Sequence, residues 1–349
     1  MRRGPEAVFG AIMLTWRLRR TLHRFQCGNS VVTALAFNNA EPGAISKAHA
    51  RNLRAIALRR GSPPMSLSAN APLSIGRVVL TVHDLAGVST FYQHAMGLHE
   101  LTADASAVQL GVGSKVLLEL RKDLNARRHA QDEAGLFHTA FLLPTRGDLA
   151  RWMVHAAEQN LQLQGASDHR VSEAIYLADP EGNGIEIYVD RPPSAWAWTN
   201  GLVQMTTERL NVQDLMASAG TDQWKGFPDG SIVGHVHLQV GAIPPAEAFY
   251  AKALGLDMTC HYRDAATFFS TGGYHHHLAT NIWNSRGAPV RSLPSTGLAD
   301  VELVAATADV LGATRSHLEQ AGVAITERAD GLSVRDPWGT SISVVRKPA

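Results

Sequence analysis

Residues 75–98 (IGRVVLTVHDLAGVSTFYQHAMGL) and 233–256 (VGHVHLQVGAIPPAEAFYAKALGL) are two copies of one unit. Each opens with an alternating strand pattern and a turn, then runs into an amphipathic helix that carries Phe-Tyr and stops at Gly-Leu. Internal repetition of this kind constrains the fold more than any single motif, because each unit packs against its neighbours. Two further strand openings, GLFHTAFLLP (135–144) and GLADVELVAA (297–306), lead into helical stretches at 146–159 and 308–321. Both of these units close on a hairpin with Asp-Pro and Gly at the reversal, AIYLADPEGNGIEIYVD and LSVRDPWGTSISVV. The chain therefore reads as four βαβββ modules, at about 75–123, 135–190, 232–285 and 296–347. The class is α+β, with mixed sheets curled into two half-barrels and one helix per module outside. Taken in chain order the modules divide into 71–192 and 231–349, joined by a linker at 193–230 with an amphipathic stretch near 210–219.

The 349 residues are enough for two ordinary cores, and 45% hydrophobic with 18% charged residues is a globular composition. The net charge of +1 is uneven: residues 1–64 carry eleven Lys or Arg against Glu6 and Glu41, or +9, which leaves −8 for the rest. That acidic body offers no electrostatic case for nucleic-acid binding. Cys27 and Cys260 make no disulfide framework, which points to a reducing, cytoplasmic setting. No apolar run reaches membrane-spanning length, the stretch 7–16 being too short. The basic segment, drawn as an extension over 1–70, has the Arg-rich, acid-poor composition of a targeting leader. We read it instead as translated upstream sequence before a start at Met65, because the patterned sequence begins within ten residues of that methionine.

The repeated module and the DPEGNGIEIYVD ending resemble the vicinal oxygen chelate superfamily, the glyoxalase and extradiol dioxygenase fold. GHVHLQV, YHHHLATNIW and HRVSEAIYLADPEGNGIEIY resemble the bacterial catechol 2,3-dioxygenase branch. The resemblance covers about 75–347. It implies that two modules pair around one metal, with ligands from the first strand of one module and from the first and last strands of its partner. Those positions hold Arg77 in module one, His138 and Glu186 in module two, His235 in module three, and Asp300 and Ser343 in module four. Modules two and three together supply two histidines and a carboxylate, the set that holds a non-haem iron on one face and leaves the other open. Modules one and four would form a metal-free half, since Arg77 repels a cation and Ser343 ligates poorly. His237 shares a strand face with His235 and competes with it as ligand.

The same resemblance assigns the chemistry. Tyr176, ten residues before Glu186 across the hairpin, matches a tyrosine that hydrogen-bonds a substrate hydroxyl. His169 matches a substrate-binding histidine, with Asp168 beside it as a tautomer-fixing partner or a turn cap. Counting back three residues from Ala279 on the last strand of module three gives His276 as the acid–base histidine. Alternation on that strand would put His275 and His277 on one face and His276 on the other. The expected cofactor is Fe(II), with Mn(II) also compatible, and the expected partners are an aromatic diol and O2 in a homo-oligomer. Extradiol cleavage to a 2-hydroxymuconic semialdehyde-type product follows. The alternatives are a glyoxalase-type lyase or isomerase, which needs a second carboxylate that 275–284 does not contain, and a non-catalytic small-molecule-binding protein of the same fold.

Overall fold

All four expected modules are formed in the computed structural model, which describes residues 66–347. The reading of residues 1–64 lies outside the described residues. Module one comprises β1 (Leu73–Val82), α1 (Leu85–Phe91), β2 (His99–Ala103), β3 (Ala107–Val112) and β4 (Lys115–Lys122). Module two comprises β5 (Gly135–Leu142), α2 (Arg146–Glu158), β6 (Gly165–Asp168), β7 (Ser172–Ala178) and β8 (Gly184–Asp190). The connection contributes β9 (Trp198–Thr199), β10 (Leu202–Val203), β11 (Glu208–Arg209) and α3 (Val212–Ala217). Module three has β12 (Ile232–Gln239), α4 (Ile243–Glu247), β13 (Asp257–Tyr262), β14 (Ala266–Ser270) and β15 (Leu278–Asn281). Module four has β16 (Gly297–Ala305), α5 (Ala308–Gln320), β17 (Thr326–Arg328), β18 (Gly331–Arg335) and β19 (Ser341–Arg346).

Local chemistry sets the element ends. Asp84, Thr145 and Thr307 cap α1, α2 and α5 by accepting from the backbone three residues on. The repeated Phe-Tyr helices of modules one and three each continue as a π turn, Tyr92–Met96 and Ala248–Ala253. Their Gly-Leu endings follow from Gly97 (φ 74°) and Gly255 (φ 79°), where the chain reverses in the left-handed region that glycine enters without strain. In the DPxG hairpins the aspartate holds the turn: Asp179 Oδ1 accepts from the Glu181 and Asn183 amides, and Asp336 Oδ1 from the Trp338 and Thr340 amides.

Two sheets result. One has the order β17-β18-β19-β16-β1-β4-β3-β2, the other β11-β6-β7-β8-β5-β12-β15-β14-β13. Each is joined at its centre by two first strands running antiparallel, β1 with β16 and β5 with β12. The first sheet thus combines modules one and four, and the second combines modules two and three. This corrects the division into 71–192 and 231–349: each sequence half gives one module to each sheet, and from Met65 onward the chain is one compact body. The physical reason is strand pairing, since first strands find their partners across the halves rather than within them. Within each half, a helix tyrosine ties a module of one sheet to a module of the other. Tyr92 of module one reaches Asp179 Oδ2 of module two (3.4 Å), and Tyr250 of module three reaches Asp336 Oδ2 of module four (2.9 Å).

Two other boundaries shift. Residues 66–70, placed in the extension, are ordered: Ser68 is buried in the turn Ser68–Asn70, and its hydroxyl donates to the Gly234 carbonyl at 3.3 Å. The stretch 193–230 is more than a tether. Leu210, Leu215 and Phe227 join the main core, α3 packs on α2, and β11 extends the second sheet by pairing with β6. No helix among the described residues is long and apolar enough to cross a membrane.

Candidate metal centre

Strand register assembles the centre. Across the second sheet, Tyr176 of β7 faces Glu186 of β8, Glu186 faces Ala140 of β5, and Ala140 faces His235 of β12. These four residues form one row. His138 lies two residues before Ala140, on the same face of β5 by the two-residue period of a strand. Ala140, the smallest member of the row, sits between Glu186 and His235. One ligand atom from each of His138, Glu186 and His235 falls within 4.8 Å of the others, and all three residues are buried. His138 Nε2 lies 3.0 Å and His235 Nε2 3.5 Å from Glu186 Oε2. Among the described residues this is the cluster that could hold a metal ion, and it selects His235 over His237.

The donor set fits a divalent cation. The Nε2 atoms of both histidines converge on Glu186 Oε2, and His138 Nε2 is buried without a well-formed hydrogen bond. Burial pushes the His235 imidazole down to about 4, against the pull of the Glu186 carboxylate. Burial raises Glu186, but the imidazoles of His235 and His138 against it prevail, and its carboxyl lies well below the usual range. At neutral pH the favoured forms are therefore an unprotonated imidazole at His235 and an ionised carboxylate, the states a metal requires.

Three groups surround this triad. On one side, Tyr176 Oη is 2.6 Å from His169 Nε2, while His169 Nδ1 is 2.7 Å from the Thr206 carbonyl. A carbonyl can only accept, so Nδ1 carries the proton and Nε2 accepts from the tyrosine. Burial, then the charge of Glu186, raises the Tyr176 phenol well above its ordinary value, which keeps it protonated. Thr206, from the connecting segment, is the residue that fixes the tautomer. Asp168 accepts from the Arg170 amide and pairs with Arg191 (2.7 Å), so it is a turn cap.

On another side stands His276, its ring centroid 4.1 Å from that of His235. The triple-histidine run does not lie on a strand as expected. It precedes β15, and the alternation fails: His275 and His276 meet through their Nδ1 atoms (2.8 Å), whereas His277 turns away to Ser270 Oγ (2.9 Å) and the Ser68 carbonyl (3.3 Å). Two glycines, Gly272 and Gly273, both at positive φ, turn the chain just before the run and prevent an extended entry. On the third side, His237 packs among His138, Phe137, Trp283 and Phe268 at centroid distances of 5.0, 5.1, 5.4 and 5.8 Å. The aromatic wall of Phe137, Phe268 and Trp283 had no signal in the sequence, because it comes from two separate strands and a loop. Trp196 of the connecting segment is buried against His275 (5.0 Å), and Trp198 is exposed.

The first sheet carries different side chains at the equivalent place, where Arg77, Asp300 and Ser343 line a polar cavity of about 220 Å³. Register puts Asp300 and Glu302 of β16 where His138 and Ala140 stand, and Ser343 of β19 where Glu186 stands. Arg77 occupies the place of His235, and its guanidinium pairs with Glu119 (2.8 Å) and Glu302 (3.1 Å). A fixed organic cation paired with two carboxylates thus stands where the second sheet has His235.

The family profile of the glyoxalase/bleomycin resistance protein/dioxygenase superfamily matches residues 74–187 and 232–344. Catechol-2,3-dioxygenase of Bacillus subtilis (strain 168) is 36% identical over 267 residues, covering 75% of this chain and 93% of that protein. Biphenyl-2,3-diol 1,2-dioxygenase 3 of Rhodococcus globerulus is 36% identical over 56 residues, 16% of this chain and 30% of that protein. A solved structure from Bacillus subtilis subsp. subtilis str. 168 superposes with a TM-score of 0.55 at 13% identity, over 79% of this chain and 85% of that one, which speaks to the fold alone.

Proposed function

The chain belongs to the glyoxalase/bleomycin resistance protein/dioxygenase superfamily, and from that premise we propose that it is an extradiol ring-cleaving dioxygenase that opens a catechol with O2 to a 2-hydroxymuconic semialdehyde-type product. The observation that carries the reading is the buried triad of His138, Glu186 and His235, with Tyr176–His169 and His276 on separate sides of it. Three protein ligands leave coordination positions for a bidentate diol and for oxygen. Fe(II) is the metal we assign, with Mn(II) compatible with the same donors. When bound, such a metal favours the deprotonated diol and templates both reactants.

The chain's own residues account for the remaining steps. Tyr176 has a single hydroxyl proton, which goes to His169 Nε2 in the free protein and turns to a diol oxygen when substrate binds. The neutral His276 takes a proton from the diol and returns it as the ring opens. Phe137, Phe268 and Trp283 offer apolar faces to the ring and exclude water. A glyoxalase-type reading calls for a second carboxylate on β15, and Leu278–Asn281 carries none.

Anaerobic reconstitution with Fe(II), followed by catechol and air, tests the assignment. A yellow ring-opened product from the wild type and none from Glu186→Ala is the expected result. Stoichiometric iron without any ring-opened product from a panel of catechols overturns it.

A further inference from the structure

Behind His276 runs a hydrogen-bonded chain that the reaction as described does not use. Asp190 Oδ1 is 2.9 Å from His275 Nε2, and His275 Nδ1 is 2.8 Å from His276 Nδ1. Asp190 lies on β8 four residues after Glu186, so it shares the ligand's face of the strand. It also accepts from Tyr274 Oη (3.2 Å), which takes the Tyr188 hydroxyl at 2.7 Å. His275 is fully buried, with Trp196 and Tyr274 against its ring at 5.0 and 4.0 Å. Nothing but Asp190 and His276 meets its two nitrogens.

We infer that Asp190 and His275 are positioning residues that fix the tautomer and orientation of His276. The inference rests on the dioxygenase reading for its consequence, but its geometry stands apart from it. For a neutral His275 beside an ionised Asp190, the proton count sets the direction. A carboxylate can only accept, so His275 Nε2 carries a proton. Two facing Nδ1 atoms share one proton between them. With His275 neutral, its Nδ1 is a lone pair, and His276 Nδ1–H donates to it. His276 is then left with a bare Nε2 on the side of its ring away from His275, the form that can accept a proton from substrate. The opposite arrangement would put a proton on His276 Nε2 and remove that capacity. A second group that orients a catalytic base recurs wherever histidine does acid–base work, and here it is a histidine backed by a carboxylate.

The test is the tautomeric state of each imidazole, read by long-range 1H–15N correlation in the full chain with labelled histidine and zinc as a diamagnetic stand-in for iron. The expected pattern is Nε2–H for His275 and Nδ1–H for His276. His275→Phe, which keeps a ring between Trp196 and Tyr274, and Asp190→Ala should each leave His276 in a mixture of tautomers. In the iron-loaded enzyme each should lower kcat about 10- to 100-fold while KM changes little. Asp190→Glu, which keeps the acceptor, should recover part of the loss. An Nε2–H tautomer for His276 in the wild type, or an unaltered His276 in both variants, overturns the inference. The wild-type spectrum answers without any turnover, so a failure of the dioxygenase reading would show separately, as iron bound without ring cleavage.

Discussion

Tyr176 stands directly opposite Glu186 across the β7–β8 ladder, and its hydroxyl is held at 2.6 Å from His169 Nε2. A candidate metal ligand and a candidate substrate donor are thus set by one rung of one sheet. Tyr176→Phe removes the hydroxyl and leaves the ring packing and the ligand untouched. A hydrogen bond to a charged group contributes about 1.5–3 kcal/mol, so kcat/KM for catechol should fall about 10- to 100-fold. Metal content by elemental analysis should stay at the wild-type value. An unchanged kcat/KM would remove Tyr176 from the substrate's contacts.

Glu186→Gln keeps the shape of the side chain and removes the charge that faces His138 and His235. The wild type should take up about one Fe(II) or Mn(II) per chain and gain thermal stability with it, about 2.7 kcal/mol when the free metal is a hundred times its Kd. The variant should show neither uptake nor the stability gain in a metal titration followed by thermal unfolding. Equal stabilisation of both proteins would locate the metal elsewhere.

The grouping of His138, Glu186 and His235 was legible because the candidate ligand positions lie on the first and last strands of a module that repeats along the chain. Tyr176 and Glu186 were legible for the same reason, since a short hairpin fixes which residues oppose one another. What the hairpin could not convey was anything carried by irregular backbone. The run His275–His277 looked like strand, but Gly272 and Gly273 turn the chain ahead of it and bring His275 and His276 to one place. Thr206 acts through its carbonyl, which has no side-chain signature at all. Asp190 did carry a signal, sharing the parity of Glu186 and Tyr188, but its partner His275 lies 85 residues away and only the fold joins them. The pairing of modules across the halves followed from where the ligands had to meet, whereas a division by chain order alone gave the wrong partners.

Tyr250 and Asp336 give a direct measure of how strongly modules three and four are tied. Their hydrogen bond (2.9 Å) is buried, and the carboxylate also caps the turn after β18. Tyr250→Phe should cost about 1–3 kcal/mol in urea unfolding. Asp336→Ala should cost more, because the Trp338 and Thr340 amides lose their acceptor as well. A double-mutant cycle should return a coupling of roughly 1 kcal/mol or more for the pair. A coupling near zero would mean that packing alone holds these modules together.

His277 predicts how stability depends on acid. Burial pushes its imidazole down to about 3, against the pull of the Ser68 carbonyl. An unfolded histidine titrates near 6.5, so between these values the unfolded chain binds a proton that the folded chain refuses. Stability contributed by the neutral form is therefore complete above about pH 6.5 and is lost as pH falls toward 3. The slope for one such group is about 1.4 kcal/mol per pH unit. Other buried histidines, His235 among them, add slopes of the same sign, so the informative quantity is a difference. His277→Gln should be less stable than the wild type at pH 7, since it loses contacts to Ser270 and Ser68. That gap should narrow by about 1.4 kcal/mol for each unit of acidification between pH 6 and pH 4. Urea unfolding of chelator-treated protein at a series of pH values measures it. Parallel pH profiles for the two proteins would show that His277 is protonated in the folded state and that its burial has no bearing on acid sensitivity.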